Sequence, residues 1–233
     1  MTGTDTEGAI SFTLDFSDEA GNAATQVTAV TDASSVTFDR SAPTATAVSI
    51  ASNNATTSVA KSGDEITVSF TVDDTLLATP TATIQSQTAT VAVDGAHPNY
   101  TAKYTMNGTD TEGAVAFTID FSDEAGNAAT QVTAVTDATS VTYDRTAPAA
   151  TAVSIASNNA NTSTATTGDI ITVSFTVNDD LLATPTATID GQAATVAVSG
   201  AHPNYTATYT TVGSTTEAAL GFTIDFSDEA GNA

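Results

Sequence analysis

Carboxylates recur in two short phrases of this 233-residue sequence, and carboxylate oxygens can bind metal ions. The phrase "DEAGN" stands at 18–22, at 123–127 and again at 228–232. Two adjacent aspartates stand at 73–74, after a valine-rich stretch, and two more stand at 179–180. Ca²⁺ takes about six to eight oxygen ligands from carboxylates, amide and backbone carbonyls and water. These phrases are candidate calcium ligands wherever folding brings them together.

The acidic phrases recur because the whole sequence repeats. Asp18, Asp123 and Asp228 follow one another at intervals of 105 residues (123 − 18 and 228 − 123). The phrase "DRSAP" at 39–43 returns as "DRTAP" at 144–148 without any insertion or deletion. A period of about 100 residues is too long for a solenoid turn, and it matches a small β-sandwich domain. The sequence therefore predicts an array of domains.

Alternation of apolar and polar residues predicts β-strands within each repeat. The stretches "EITVSFTV" at 65–72 and "NYTAKYTM" at 99–106 have a period of two, which is typical of half-buried strands. Seven short strands in one repeat indicate an all-β fold of tandem immunoglobulin-like β-sandwiches in a linear array. A phase change in the last strand predicts a bulge or break near 136–137. The predicted strands lie near 46–51, 65–72, 81–85, 88–93, 99–106, 114–121 and 129–143.

Proline in the "DRxAP" phrases marks the domain boundaries, since proline suits a short stiff linker. Three parts are expected: residues 1–40, the C-terminal part of one repeat (the N-terminal segment); 41–145, a complete repeat (the middle repeat); and 146–233, a repeat lacking its seventh strand (the last repeat). We call the two boundaries between them the first and second junctions. The chain is therefore expected to be a fragment of a longer array, and its lack of a signal peptide carries no information on location.

Composition excludes several classes of protein. The formal charge is −23 with only four lysines and arginines, so the chain lacks the cations that would neutralise nucleic-acid phosphates. There is no cysteine for disulfides, and no apolar run approaches the roughly 20 residues of a membrane span. The sequence contains neither a nucleophile elbow nor a phosphate-binding glycine loop, so we expect no enzymatic activity.

Three phrases together resemble the bacterial immunoglobulin-like (BIg-type) repeats of giant cell-surface adhesins. They are "FTIDFSDEAGNA" at 117–128, "VTYDRTAP" at 141–148 and "TAVSIASNNA" at 46–55. The resemblance covers the whole chain, and it implies an extracellular stalk on a bacterial cell surface, often stiffened by calcium at the domain junctions. The chain departs from the family phrase where Arg40 and Arg145 follow the junction aspartates.

The sandwich topology predicts where the acidic loops lie. Loops after the second, fourth and sixth strands meet at the end where the first strand begins, which faces the preceding domain. We expect Ca²⁺ there, bound at the first junction by Asp39, Asp73, Asp74, Asp123, Glu124 and Asn127. The corresponding residues of the second junction are Asp144, Asp179, Asp180, Asp228, Glu229 and Asn232. The alternative is that each "DEAGN" forms a tight turn in which aspartate and asparagine bond their own backbone.

These features favour a structural extender that holds a distal ligand-binding module away from the cell, with neighbouring repeats of the same chain as its partners. Two alternatives stay open: a weak multivalent glycan- or protein-binding module, and an accessory region of a secreted enzyme. Tyr100 and Tyr104 share the predicted core face. An exposed tyrosine at either position would favour the glycan-binding alternative.

The expected lack of a seventh strand in the last repeat also predicts self-association. Residues 24–38 carry the seventh-strand sequence, so a second molecule could supply the strand head to tail. The N-terminal segment cannot build a core alone, and we expect it to be disordered or to donate its strand.

Overall fold

The computed structural model describes residues 5–215 and 217–233, and it is built entirely from strands, turns and loops over those residues. This confirms the prediction of an all-β, sandwich-like fold. None of the described residues belongs to a helix of the length and apolarity that crossing a bilayer requires. The division of the chain into domains stays a prediction.

Nineteen strands are numbered in chain order. The N-terminal segment contains β1 (Gly8–Ala9) and β2 (Thr37–Phe38). The middle repeat contains β3 (Ser49–Ser52), β4 (Val59–Ala60), β5 (Glu65–Thr71), β6 (Thr81–Ile84), β7 (Gln87–Thr88), β8 (Thr90–Val93), β9 (Asn99–Thr105), β10 (Gly113–Ala114), β11 (Phe117–Asp120) and β12 (Thr142–Tyr143). The last repeat contains β13 (Ala150–Ser157), β14 (Ile170–Val177), β15 (Thr186–Ile189), β16 (Gln192–Ala193), β17 (Thr195–Val198), β18 (Asn204–Thr210) and β19 (Phe222–Asp225).

The core of the middle repeat lies between two antiparallel sheets. One sheet has the order β3-β5-β9-β8, and the other has the order β11-β6-β7. Strand β5 buries Ile66, Val68 and Phe70 while the intervening residues stay half-buried, as its period of two predicts. Ile84 and Ile119 extend from the second sheet into the same buried cluster.

Two predicted strands are each divided in the structure. The stretch predicted near 88–93 pairs first with β6, through β7, and then with β9, through β8. The chain changes sheets at Ala89, which is buried and donates its N–H to the Ala82 carbonyl at 2.9 Å. The stretch predicted near 114–121 is similarly divided into β10 and β11. Alternation alone does not reveal such a change of sheet, because both halves keep the same pattern.

The seventh strand position, residues 129–143, is discontinuous as predicted. Thr136 exchanges hydrogen bonds with the Val48 backbone, donating its N–H at 2.8 Å and accepting the Val48 N–H on Oγ1 at 2.9 Å. A turn follows, in which the Asp137 carboxylate accepts the Thr139 N–H at 3.0 Å. Strand β12 then pairs antiparallel with β10 and parallel with β4. The break lets one segment contact the edges of both sheets.

The last repeat has the same two sheets, in the orders β13-β14-β18-β17 and β16-β15-β19. The buried cluster of the last repeat is separate from that of the middle repeat. Val153 is 46% exposed, whereas Val48 at the equivalent position of the middle repeat, which bonds Thr136, is 1% exposed.

The N-terminal segment forms a hairpin over its described residues. Strands β1 and β2 pair antiparallel, and Leu14 bridges Val27. Several of its apolar side chains are exposed, including Phe12, Phe16 and Val36. The sequence analysis expected this segment to be disordered or to donate its strand, and the described residues form a hairpin instead of a disordered segment. Strand donation stays a prediction.

Equivalent positions of the repeats allow a matched test of this core. Ile119 is fully buried, whereas Leu14, 105 residues earlier, is 52% exposed. We expect Ile119→Ala to lower the opening free energy of the β5 amides by about 2–5 kcal/mol through loss of packing. Leu14→Ala should change it by less than about 0.5 kcal/mol. Hydrogen exchange measures both values, and equal effects would contradict the assigned core.

Candidate metal centre

The linker aspartates follow directly on the ends of β2 and β12. Asp144 donates its N–H to the Ala60 carbonyl at 2.8 Å, which ties the linker to β4. Its carboxylate accepts the Thr146 N–H at 2.9 Å, and the Asp39 carboxylate likewise accepts the Ser41 N–H at 3.0 Å. These turns fix each linker carboxylate at the start of the following repeat.

Each DEAGN loop (residues 123–127 and 228–232) forms the tight turn that the sequence suggested. Both oxygens of Asp123 accept hydrogen bonds from Asn127, one from its backbone N–H and one from Nδ2, each at 2.8 Å. Gly126 adopts a φ of +92°, in the left-handed region that favours glycine. The same pair of bonds joins Asp228 and Asn232, each at 2.9 Å. The turn therefore holds one buried carboxylate in a fixed orientation.

The environment of Asp123 keeps its carboxyl ionised. Burial is the largest single influence and acts to raise its pKa. Hydrogen bonds from the Asn127 side chain and backbone, and from the Gly126 and Ala125 N–H groups, outweigh burial and hold the pKa below its ordinary value. A buried carboxylate that stays charged needs neighbouring dipoles or a cation to stabilise it.

The DD loops (residues 73–75 and 178–180) lie against the DEAGN loops. Leu76 bridges Asp123, and Leu181 bridges Asp228 at the equivalent place. The Asp74 carboxylate accepts the Thr75 N–H at 2.6 Å, and Asp179 makes the same contact with residue 180. Each DD loop thereby places one aspartate at its junction, Asp74 at the first and Asp179 at the second.

Three carboxylates meet at each junction. At each junction, one carboxylate oxygen from the linker, one from the DD loop and one from the DEAGN loop lie within 4.8 Å of one another. Two oxygens on one Ca²⁺ at about 2.4 Å can be at most about 4.8 Å apart, so a single ion could contact all three. The two groups are Asp39, Asp74 and Asp123, and Asp144, Asp179 and Asp228.

The other predicted ligands lie outside these two groups of three. Asp73 is occupied by Thr44, accepting its N–H at 2.7 Å and its hydroxyl at 2.6 Å. Asp180 is exposed and lies 3.7 Å from Nδ1 of His202. Asn127 and Asn232 orient the buried aspartates through the bonds described above. Glu124 and Glu229 are exposed on their loops.

Burial and the neighbouring carboxylates at the second junction affect the pKa of Asp144. Burial, the largest cause, raises the pKa of Asp144, and the carboxylates of Asp228 and Asp179 raise it further. The guanidinium of Arg145 lies toward its own repeat, where it contacts the Glu112 carboxylate at 3.8 Å and the Gly108 carbonyl. The cation that follows the linker aspartate in sequence is therefore engaged with Glu112.

Further contacts that the sequence did not reveal cross the second junction. Lys61 Nζ donates to the Gly231 carbonyl at 2.6 Å, and Asn54 Nδ2 donates to the Ala230 carbonyl at 2.9 Å. From the other side, Asn232 Nδ2 donates to the Asp144 carbonyl at 3.1 Å. The sequence offered one signal for these contacts. Lys61 is one of only four lysines and arginines, and the next repeat has Thr166 at the equivalent position.

Comparison of the sequence with protein-family models and with curated proteins finds no match.

The pKa of Asp144 provides a test for a bound cation. Its raised value means that the folded chain disfavours the ionised form, so this carboxyl destabilises the junction above its folded pKa. That cost disappears as the pH falls below the ordinary value of 3.8. A bound cation should reverse the shift, and we expect millimolar Ca²⁺ to lower the pKa of Asp144.

Carboxyl ¹³C NMR titration with and without Ca²⁺ measures this change. Asp137 provides the control, because the Thr139 hydroxyl and N–H lower its pKa at an exposed turn and it belongs to neither carboxylate group. Its pKa should not respond to Ca²⁺. An Asp144 titration that is identical with and without Ca²⁺ would contradict a metal centre.

Proposed function

We propose that this chain is a structural extender, made of stalk repeats that bind Ca²⁺ at their junctions and have no catalytic role. One observation carries the proposal. At both junctions a linker carboxylate lies within 4.8 Å of one carboxylate from each of two loops of the following repeat. Like charges at such distances repel each other unless a cation neutralises them.

The residues present suit a hard cation. Three carboxylates provide three to six oxygens according to whether they bind through one or both, and backbone carbonyls and water could complete a calcium shell. Asp39 and Asp144 come from the linkers, whereas the other four ligands come from loops of the following repeats. An ion bound in this way joins consecutive repeats and opposes bending between them.

The energetic effect of such a site is large for a small domain. A ligand present at 100 times its dissociation constant stabilises the binding-competent state by about 2.7 kcal/mol. The total stability of a domain is only about 5–15 kcal/mol. Calcium would therefore control both the stiffness of the junction and a substantial part of the stability of each repeat.

The resemblance to adhesin repeats supports the setting that we propose for this function. In that setting the chain is extracellular, on a bacterial cell surface, and it spaces a distal adhesive module from the cell. The two DEAGN loops are identical in sequence, and this identity supports the same view. Loops selected for separate ligands would be expected to differ from each other.

The tyrosines whose exposure would favour the glycan-binding alternative are buried or half-buried. Tyr100 and Tyr205 are buried and stack on Phe70 and Phe175, with ring centroids 5.5 Å apart in each pair. Tyr104 is half-buried, and its hydroxyl donates to the Asp110 carboxylate at 3.1 Å. These tyrosines serve the core, so we place the extender function first.

Distance measurements across the second junction test the proposal directly. The chain has no cysteine, so spin labels can be placed on Thr90→Cys and Thr195→Cys, two exposed and equivalent positions. We expect electron–electron double resonance to give a narrow distance distribution in Ca²⁺ and a broad one after chelation. Asp144→Asn should abolish the difference, because it removes the linker ligand.

The matched control is Asp225→Asn, which removes an exposed aspartate of β19 outside both carboxylate groups. It should retain the full response to Ca²⁺. Identical distributions with and without Ca²⁺ in the unaltered chain would exclude metal-stiffened junctions.

The Lys61 contact makes a separate prediction for the calcium-free chain. Lys61→Thr introduces the residue found at position 166, and it removes a charge-assisted hydrogen bond of about 1.5 kcal/mol. After chelation, the same labels should show about a tenfold larger population of bent junctions. Lys103→Thr breaks an exposed ion pair with Glu65 within the middle repeat, and it should leave the population of bent junctions unchanged. Equal effects of the two variants would show that Lys61 does not join the repeats.

A further inference from the structure

The loop that follows β9 contains the only asparagine–glycine pair of the sequence, Asn107–Gly108. The position of Asn107 is taken by Thr2 in the N-terminal segment and by Val212 in the last repeat. The loop is exposed at 107–109, so water reaches the pair. A glycine nitrogen can attack the side-chain amide carbon of a preceding asparagine, because both groups belong to the same short stretch of chain and their encounter is intramolecular.

Hydrogen bonds to the side-chain oxygen of Asn107 make its amide carbon more reactive. Oδ1 accepts the Thr109 N–H at 2.9 Å and the Thr109 hydroxyl at 2.5 Å. When a nucleophile adds to the amide carbon, negative charge develops on this oxygen, and hydrogen-bond donors that already point at it stabilise that charge. Thr109 therefore provides the kind of contact on which acyl-transfer sites depend.

The nitrogen that would leave Asn107 is bonded to a phenol. Nδ2 donates to the Tyr104 hydroxyl at 2.5 Å, and this hydroxyl donates to the Asp110 carboxylate at 3.1 Å. Burial, followed by the hydrogen bond with Asp110, raises the pKa of Tyr104, so the hydroxyl keeps its proton at neutral pH. A protonated hydroxyl beside the leaving nitrogen can transfer its proton to that nitrogen as it departs.

The attacking nitrogen belongs to Gly108 and is unobstructed. Among the described residues, no atom beyond the chain neighbours of Gly108 lies within 4 Å of the position that a Cβ would occupy there. Over the same part of the chain, the Gly108 N–H donates no backbone hydrogen bond. The nitrogen is therefore free to turn toward the Asn107 side chain.

We propose that Asn107 is a site of spontaneous deamidation and that its loop promotes the reaction. The Gly108 nitrogen loses its proton to water and forms a bond to Cγ of Asn107. The bond from Cγ to Nδ2 breaks, and the nitrogen leaves as ammonia with the proton of the Tyr104 hydroxyl, which solvent replaces. Water then opens the cyclic imide at one or the other carbonyl and gives aspartate or isoaspartate. The net reaction consumes water and releases ammonia.

The reacting peptide unit also holds the last strand of the middle repeat. The Asn107 carbonyl accepts the Tyr143 hydroxyl at 2.6 Å, and the Gly108 carbonyl accepts a hydrogen bond from the Arg145 guanidinium. Isoaspartate adds a carbon atom to the main chain and converts the Asn107 carbonyl into a free carboxylate. Both products add a negative charge to the loop that contains buried Asp110, and like charges repel. Deamidation should therefore loosen the hold of this loop on β12.

Mass spectrometry of the full chain after incubation at neutral pH tests the site. Trypsin cleaves after Lys103 and Arg145, so it releases residues 104–145 as one peptide. We expect conversion at Asn107, with isoaspartate among the products, whereas Asn127, which precedes an alanine, should stay unconverted. An unconverted Asn107, or conversion at Asn127 at the same rate, would overturn the proposal.

Matched variants test whether the loop promotes the reaction. Loss of one such donor slows enzymatic acyl transfer by about 10²–10³, and for Thr109→Val on this exposed loop we expect conversion at least about tenfold slower. Thr111→Val changes an exposed threonine of the same loop and should leave the rate unchanged. A synthetic peptide of residues 104–112 should also react more slowly than the folded chain. Equal rates in the two variants, or a peptide as fast as the chain, would show that the folded loop does not promote deamidation.

Hydrogen exchange measures the effect of the product on β12. Asn107→Asp reproduces one of the products, and it should make the Thr142 and Asp144 amides exchange at least about tenfold faster, because it removes the donor to Tyr104 and adds a charge beside Asp110. The matched control is Asn99→Asp, which adds the same charge at the opposite, exposed end of β9 and should leave these amides unchanged. Equal exchange in the two variants would show that Asn107 does not hold β12.

Discussion

The placement of one discontinuous strand between two sheet edges is the constraint on which the structure of the middle repeat depends. Residues 129–143 contact the first strand near Val48, the sixth near Ile119 and the short β4. The strand buries Val141 and Tyr143 and delivers Asp144 directly to the junction. The core and the candidate metal centre therefore share a single covalent element, and a shift of that strand would disturb both.

The carboxylates at each junction are held in two different ways. Around Asp123 and Asp228, hydrogen bonds from the DEAGN loops hold the carboxylates in place. The linker aspartates are then brought against them, and for Asp144 the cost is visible in its raised pKa. Meanwhile Arg145 is held by Glu112 within its own repeat. Arg145 is thereby held away from the three carboxylate oxygens, which lie within 4.8 Å of one another. Oxygens grouped in this way suit a hard divalent cation.

Sequence reasoning succeeded where local periodicity decides the outcome. Strands β5 and β9 were expected because seven alternating residues leave one face to bury, and the break near Asp137 followed from a phase change. Sequence reasoning could not reveal the change of sheet at Ala89, because long-range packing determines which strand a segment pairs with. The convergence of the loops followed from topology. The separate roles of Asp73 and Asp74 did not, since adjacent carboxylates differ only in backbone orientation. Lys61 was missed because its partner lies 170 residues away.

The short parallel pairing of β12 with β4 has a mechanical consequence for any extender. The hydrogen bonds that hold it include those from the Thr142 N–H to the Ser58 carbonyl and from the Asp144 N–H to the Ala60 carbonyl, at 2.9 and 2.8 Å. When a pulling force enters the middle repeat through its two linkers, it draws the last strand lengthwise past β4. The bonds between the two strands lie across that direction, so they are loaded in shear and must rupture together. Strand β12 leads directly into the linker, so force that enters the repeat there acts first on its pairing with β4.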